Sequence, residues 1–109
     1  MGRMADAMDR KRELVRQHPA NELARFSLGK ALFDEGDFAG AREHLGVALE
    51  RKPDWMVVQI LLGKCALAMG DRDGARAAFE RARRLAVAQH HEGPLAEMEQ
   101  ALVDLDEPG

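Results

Sequence analysis

LGKALFDEGDFAGAREHLGVALE (residues 28–50) returns as LGKCALAMGDRDGARAAFERARR (residues 62–84). Leu28-Gly29-Lys30 matches Leu62-Gly63-Lys64, Gly36-Asp37 matches Gly70-Asp71, Gly40-Ala41-Arg42 matches Gly74-Ala75-Arg76, and Ala48 matches Ala82, each pair 34 residues apart. A period of that length belongs to a helix-turn-helix unit, which covers its apolar faces by stacking on a neighbour. Stacked units leave a groove, so the pattern implies a surface for binding other proteins.

Working outward, each unit carries its own start and stop signals. Asn21 can cap a helix that reaches Glu35, where Gly36 supplies the left-handed residue that ends a helix. Asp37 caps the next helix, to about Arg51, and Lys52-Pro53 stops it, because the residue before proline is pushed out of the helical region. The cycle repeats with Asp54 as cap, Gly70 as stop and Asp71 as cap. Val87 stands where a second closing proline would fall, so this helix is expected to run on to about His91, with Gly93 ending it and Pro94 opening another. Upstream, Met4 to Gln17 is helical in composition, with a patchy stripe of Met4, Ala7, Met8, Leu14 and Val15, and His18-Pro19 ends it. Downstream, Leu95, Met98, Leu102 and Leu105 fall on one helical face, and a frayed tail is expected from Asp106. Five or six helices and no strand result, since period-two alternation is absent.

Composition narrows the function classes. At 109 residues the chain is one small domain with a modest core. Its 16 basic and 19 acidic residues give a net charge of -3, without the basic field of a nucleic-acid binder. No apolar run approaches the roughly 20 residues of a membrane span, and the start lacks the apolar stretch of a secretion signal. The chain therefore reads as soluble and cytoplasmic, binding neither nucleic acid nor membrane. Cys65 is the only cysteine, so no internal disulfide forms.

The first helix of each repeat carries two apolar stripes. Ala24, Leu28, Ala31 and Leu32, matched by Val58, Leu62, Cys65 and Ala66, are expected to pack on the second helix, led by Ala41, Leu45 and Ala48, then by Ala75, Phe79 and Ala82. Leu23, Phe26, Lys30 and Phe33, matched by Val57, Ile60, Lys64 and Leu67, lie on another side, which the helix pair itself cannot cover. An apolar strip of that kind, with a lysine at the same height in each repeat, marks a contact surface.

These residues resemble the tetratricopeptide repeat. Leu28-Gly29 and Leu62-Gly63 match its leucine-glycine pair, and Gly36 and Gly70 its glycine before the second helix. Ala41, Leu45, Ala48 and Ala75, Phe79, Ala82 match its small-large-small positions, and Pro19 and Pro53 its closing proline. The pattern covers Pro19 to about Val87, departing at Arg25 and Gln59, where an aromatic is usual, and at Leu32 and Ala66, where a tyrosine is. The fold it implies is all-α, a right-handed superhelix of antiparallel helix pairs. The expected organisation is a single domain over 1–109: a leading helix over 4–18, repeats over 20–53 and 54–87, and a capping helix over 94–105. The capping helix has an alternative, which is to fold back over the groove beside Phe26 and Ile60.

The resemblance implies a non-catalytic adaptor that takes a protein or peptide on the concave face lined by Leu23, Phe26, Lys30, Phe33, Val57, Ile60, Lys64 and Leu67. Lys30 and Lys64 are placed to meet an acidic or carboxylate-bearing segment, unless they are solvated and the aromatics pack under the terminal helices. Phe26 and Lys30 stand where the chaperone-tail clamp of this family would have lysine and asparagine, which separates the chain from that subset. A rival reading is a self-assembling module forming homo-oligomers through the groove or through unlike charged ends. Arg10, Lys11, Arg12 and Arg16 lie near one end, and Glu92, Glu97, Glu99, Asp104, Asp106 and Glu107 near the other. No cofactor, metal site or catalytic set is expected. His90 and His91 would point about 100 degrees apart on a helix, Ser27 is the only serine, and no phosphate loop or dinucleotide fingerprint occurs.

Overall fold

A computed structural model describes the backbone of residues 3–107 and the side chains from Ala7 onward. Among the described residues there are six helices and no strand: α1 (Arg3–Gln17), α2 (Glu22–Asp34), α3 (Phe38–Arg51), α4 (Met56–Ala68), α5 (Arg72–Ala88) and α6 (Glu92–Asp106). They divide into two compact units, Met1–Pro53 with α1 to α3 and Asp54–Gly109 with α4 to α6.

In the first unit α3 packs along α2, and α1 packs on α2 from another side. Asn21 Oδ1 accepts the Ala24 amide at 2.9 Å, and Asp37 Oδ1 accepts that of Gly40 at 3.0 Å, so both expected caps form. Gly36, at φ +86, lets the chain reverse between them. Its amide donates to the Phe33 carbonyl and that of Asp37 to the Leu32 carbonyl, which satisfies the last carbonyls of α2. Leu28 and Leu32 are buried with Ala41, Leu45 and Ala48. The close approach depends on Gly29, because a Cβ there would stand 2.9 Å from Leu45 Cδ2. Met8 and Val15 bury the α1 side, and Lys11 Nζ donates to Ser27 Oγ at 3.0 Å. Leu14, also expected in that stripe, is exposed, and the Met4 side chain lies outside the described residues.

The second unit repeats the hairpin with α4 and α5. Gly70 (φ +79) makes the same reversal, Asp71 Oδ1 caps α5 through the Gly74 amide at 2.9 Å, and a Cβ on Gly63 would stand 2.5 Å from Phe79 Cε1. The core gathers Met56, Ile60, Phe79, Ala82 and Ala86 with Met98 and Leu105 of α6, which packs on α5. Leu95 and Leu102 pack against that core, so the whole expected stripe of the last helix turns inward.

Four boundaries in the second unit differ from expectation. Trp55, not Asp54, is the N-cap of α4, because the helix starts one residue later, and Trp55 makes no side-chain cap bond. The Asp54 carbonyl instead accepts Gln89 Nε2 at 3.1 Å. The end of α5 is Ala88, ahead of the expected His91, though still three residues past Leu85, the match of Arg51. His90 takes the left-handed conformation at φ +57, and its amide and that of His91 donate to the Val87 and Ala86 carbonyls, the pattern in which those of Gly70 and Asp71 donate to Leu67 and Ala66 at the end of α4. Gly93 and Pro94 consequently fall inside the first turn of α6, where a missing N–H leaves no helical bond unmade. At its other end α6 runs through Asp106, which was assigned to the tail. Arg72 Nη2 donates to the Leu105 carbonyl and Arg76 pairs with Asp106 at 2.6 Å, placing cations where the helix ends in bare carbonyls. Pro108 and Gly109 lie outside the described residues.

Candidate interaction surface

The second stripe of α2 starts at Leu23, which is 65% exposed, the most exposed large apolar side chain among the described residues. Phe26 and Phe33 follow at half-burial, Phe33 meeting the Phe38 ring edge-on with centroids 5.5 Å apart. Between them Lys30 Nζ donates to both carboxylate oxygens of Asp34, at 2.9 and 2.8 Å. That is a pair at i,i+4 on one helix, exposed on both sides and so worth at most about 1 kcal/mol.

The matching stripe of α4 has the same exposed apolar ends. Val57, one period after Leu23, is 49% exposed, and Leu67, one period after Phe33, is 47% exposed. Its middle differs. Ile60, assigned to the open surface with Phe26, is 8% exposed and belongs to the core that Met98 and Leu105 complete. Lys64 is exposed and pairs with Glu97 of α6 at 3.3 Å. Ala68 stands where Asp34 does in the first repeat, so α4 offers Lys64 no carboxylate of its own.

Glu97 enters the sequence reading only as one of the acidic residues near one end, yet its position carried a further signal. It lies one period after Gly63, where glycine admits the second helix in both full repeats. A glutamate there does not admit a second helix at the same distance, and its side chain is half exposed. Two more acidic residues of that end behave alike: Arg83 pairs with Glu99 at 3.8 Å and Arg76 with Asp106. In α1, Arg16 is bound to Glu13 at 2.8 Å, which holds the Glu13 carboxyl below its ordinary value. The unlike ends read from the sequence are in part neutralised locally.

Arg25 also found a role that its sequence position did not announce. Its Nε donates to the Pro19 carbonyl at 2.7 Å, and its Nη1 lies 2.9 Å from His44 Nδ1 on α3. Burial, then the charges of Arg25 and Arg12, push His44 below the usual imidazole range against the opposing pull of Glu43 and Asp37. A neutral ring accepting from the guanidinium fits both facts. Cys65 is fully buried. Among the described residues no group of three or more His, Cys, Asp or Glu side chains is placed to hold a metal, and no helix is long and apolar enough to cross a membrane.

Helix pairs of this kind, with a glycine-admitted close approach in each, define a helical-repeat protein of the all-α class. The tetratricopeptide repeat pattern matches residues 32–91 and, separately, residues 1–54. A TPR repeat-containing protein of Pseudomonas aeruginosa, PA0015, is 44% identical over 79 residues, 72% of this chain and 73% of that protein. Among solved structures, PcrH in complex with the chaperone binding region of PopD superposes with a TM-score of 0.84 at 25% identity, over 95% of this chain and 79% of that one. BPP2914 from Bordetella parapertussis does so with a TM-score of 0.75 at 33% identity, over 90% and 85%. The chain belongs to the tetratricopeptide repeat family.

Proposed function

We propose that this protein is a non-catalytic interaction module that receives a segment of a partner protein on the open faces of α2 and α4. The observation that carries the reading is the matched exposure of Leu23 and Val57, two branched apolar side chains one period apart that their own helix pairs leave to solvent. Exposed apolar groups are ordinary singly, but repetition at one position of a repeat is a feature of the surface. PcrH, the similar solved structure, is seen holding a segment of PopD, which supports a role in binding protein segments here. Self-assembly through charged ends has less support, since Glu97, Glu99 and Asp106 are engaged by basic residues of their own unit.

A peptide array probed with the labelled full chain tests this. Replacing Leu23 and Val57 together by serine should abolish the bound spots while thermal stability stays within about 1 kcal/mol of the parent, as for exposed positions. Spots retained in full by the double variant would move the binding face elsewhere.

A further inference from the structure

The open faces of α2 and α4 are apolar and carry no uncompensated cation. The only charged residue of α4 is Lys64, and Glu97 answers it. On α2, Lys30 is held by Asp34, and the guanidinium of Arg25 is committed to Pro19 and His44. The compensation reaches the same end by two routes, a carboxylate four residues on in the first repeat and one from a different helix in the second, where Ala68 has replaced the local acid.

From this we infer that the segment bound by these faces is apolar and uncharged, and that acidic segments are rejected. The inference rests on the reading of these faces as the binding surface. An arriving carboxylate would have to displace Asp34 or Glu97 from its lysine, exchanging one exposed ion pair for another while placing two carboxylates side by side. An uncharged segment meets no such obstacle and gains by covering Leu23, Val57 and Leu67. The two lysines then keep Asp34 and Glu97 in place beside the faces and act against the wrong partner, specificity by exclusion of acidic chains.

The test is an array of synthetic peptides with constant apolar content and graded acidic content, probed at low and high salt with the parent and with the variant Asp34→Asn/Glu97→Gln. Both substituted residues are exposed, and circular dichroism checks that the fold is kept. Parent binding should fall with each added acidic residue and change little with salt. The variant, with both lysines uncovered, should bind the acidic peptides about fivefold more tightly than the parent at low salt, and lose that gain at high salt. Parent binding that rises with acidic content, or a variant with no gain, overturns the inference while leaving the binding faces intact. An array blank with both proteins overturns the reading of these faces, and the inference with it.

Discussion

Phe26 and Ile60 hold the same place in two copies of one repeat, yet Phe26 is half-buried and Ile60 is core. Lys30 and Lys64 are likewise equivalent, and one pairs along its own helix while the other pairs with α6. The repeat dictates which side of the helix a residue occupies, and the flanking helix decides what becomes of it. In the first unit that helix is α1, which covers α2 with Met8 and Val15. In the second it is α6, bringing Met98 and Leu105 to Ile60.

The largest expected effect breaks that difference. A chain ending before α6 loses the burial of Met98, Leu105, Leu95 and Leu102, each worth roughly 1.5–3 kcal/mol when fully buried, a sum of the order of a small domain's whole stability. The second unit should then unfold or aggregate, as read by circular dichroism and light scattering. A folded monomer would show that α6 contributes little. Next in size, Ile60→Ala should destabilise the protein by about 3 kcal/mol in urea unfolding, and Phe26→Ala by clearly less. Equal losses would remove the distinction between the two positions.

Smaller effects sharpen the comparison at the turns and at α3. His90 does in a left-handed conformation what glycine does at Gly36 and Gly70, so His90→Gly should raise stability by about 1 kcal/mol. A loss on that change would mean that the imidazole makes up for its strain. Smallest is a pH dependence arising at His44 in the first unit. His44 is held below its ordinary value of 6.5 in the folded state, so the unfolded chain takes up the proton first. Stability is complete above about pH 6.5 and declines below it, through the interval down to the folded value. Thermal unfolding at about pH 7.5 and about pH 5.5 should show the decline, and His44→Gln, which does not titrate there, should reduce it. An undiminished decline in that variant would assign it to other groups.

Much of the fold was legible because its signals are local. Gly36, Gly70, Asn21, Asp37 and Asp71 each act on the backbone within a few residues, and the structure finds each in the expected turn or cap. Where a local signal was unusual the reading slipped. Nothing in a histidine announces a left-handed stop, so the sequence carries the end of α5 on to Gly93, and Trp55, which has no capping oxygen, gives no sign that it is the N-cap of α4. The surface was legible as a stripe and illegible in its detail. The burial of Ile60 and the partner of Lys64 both depend on where α6 docks, a choice made between helices far apart in sequence. Lys30 could have been read more closely, since Asp34 lies four residues on in plain view.

In the proposed function the open faces of α2 and α4 receive a partner segment. An NMR titration of the isotope-labelled full chain with an array-selected uncharged peptide tests it most directly. The amides around Leu23 and Lys30 on α2, and those around Val57 and Leu67 on α4, should shift and saturate with added peptide, with those on the outer side of α6 around Gln100 and Val103 unmoved. Shifts confined to α3, α5 or the outer side of α6, with Leu23 and Val57 unchanged, would contradict it.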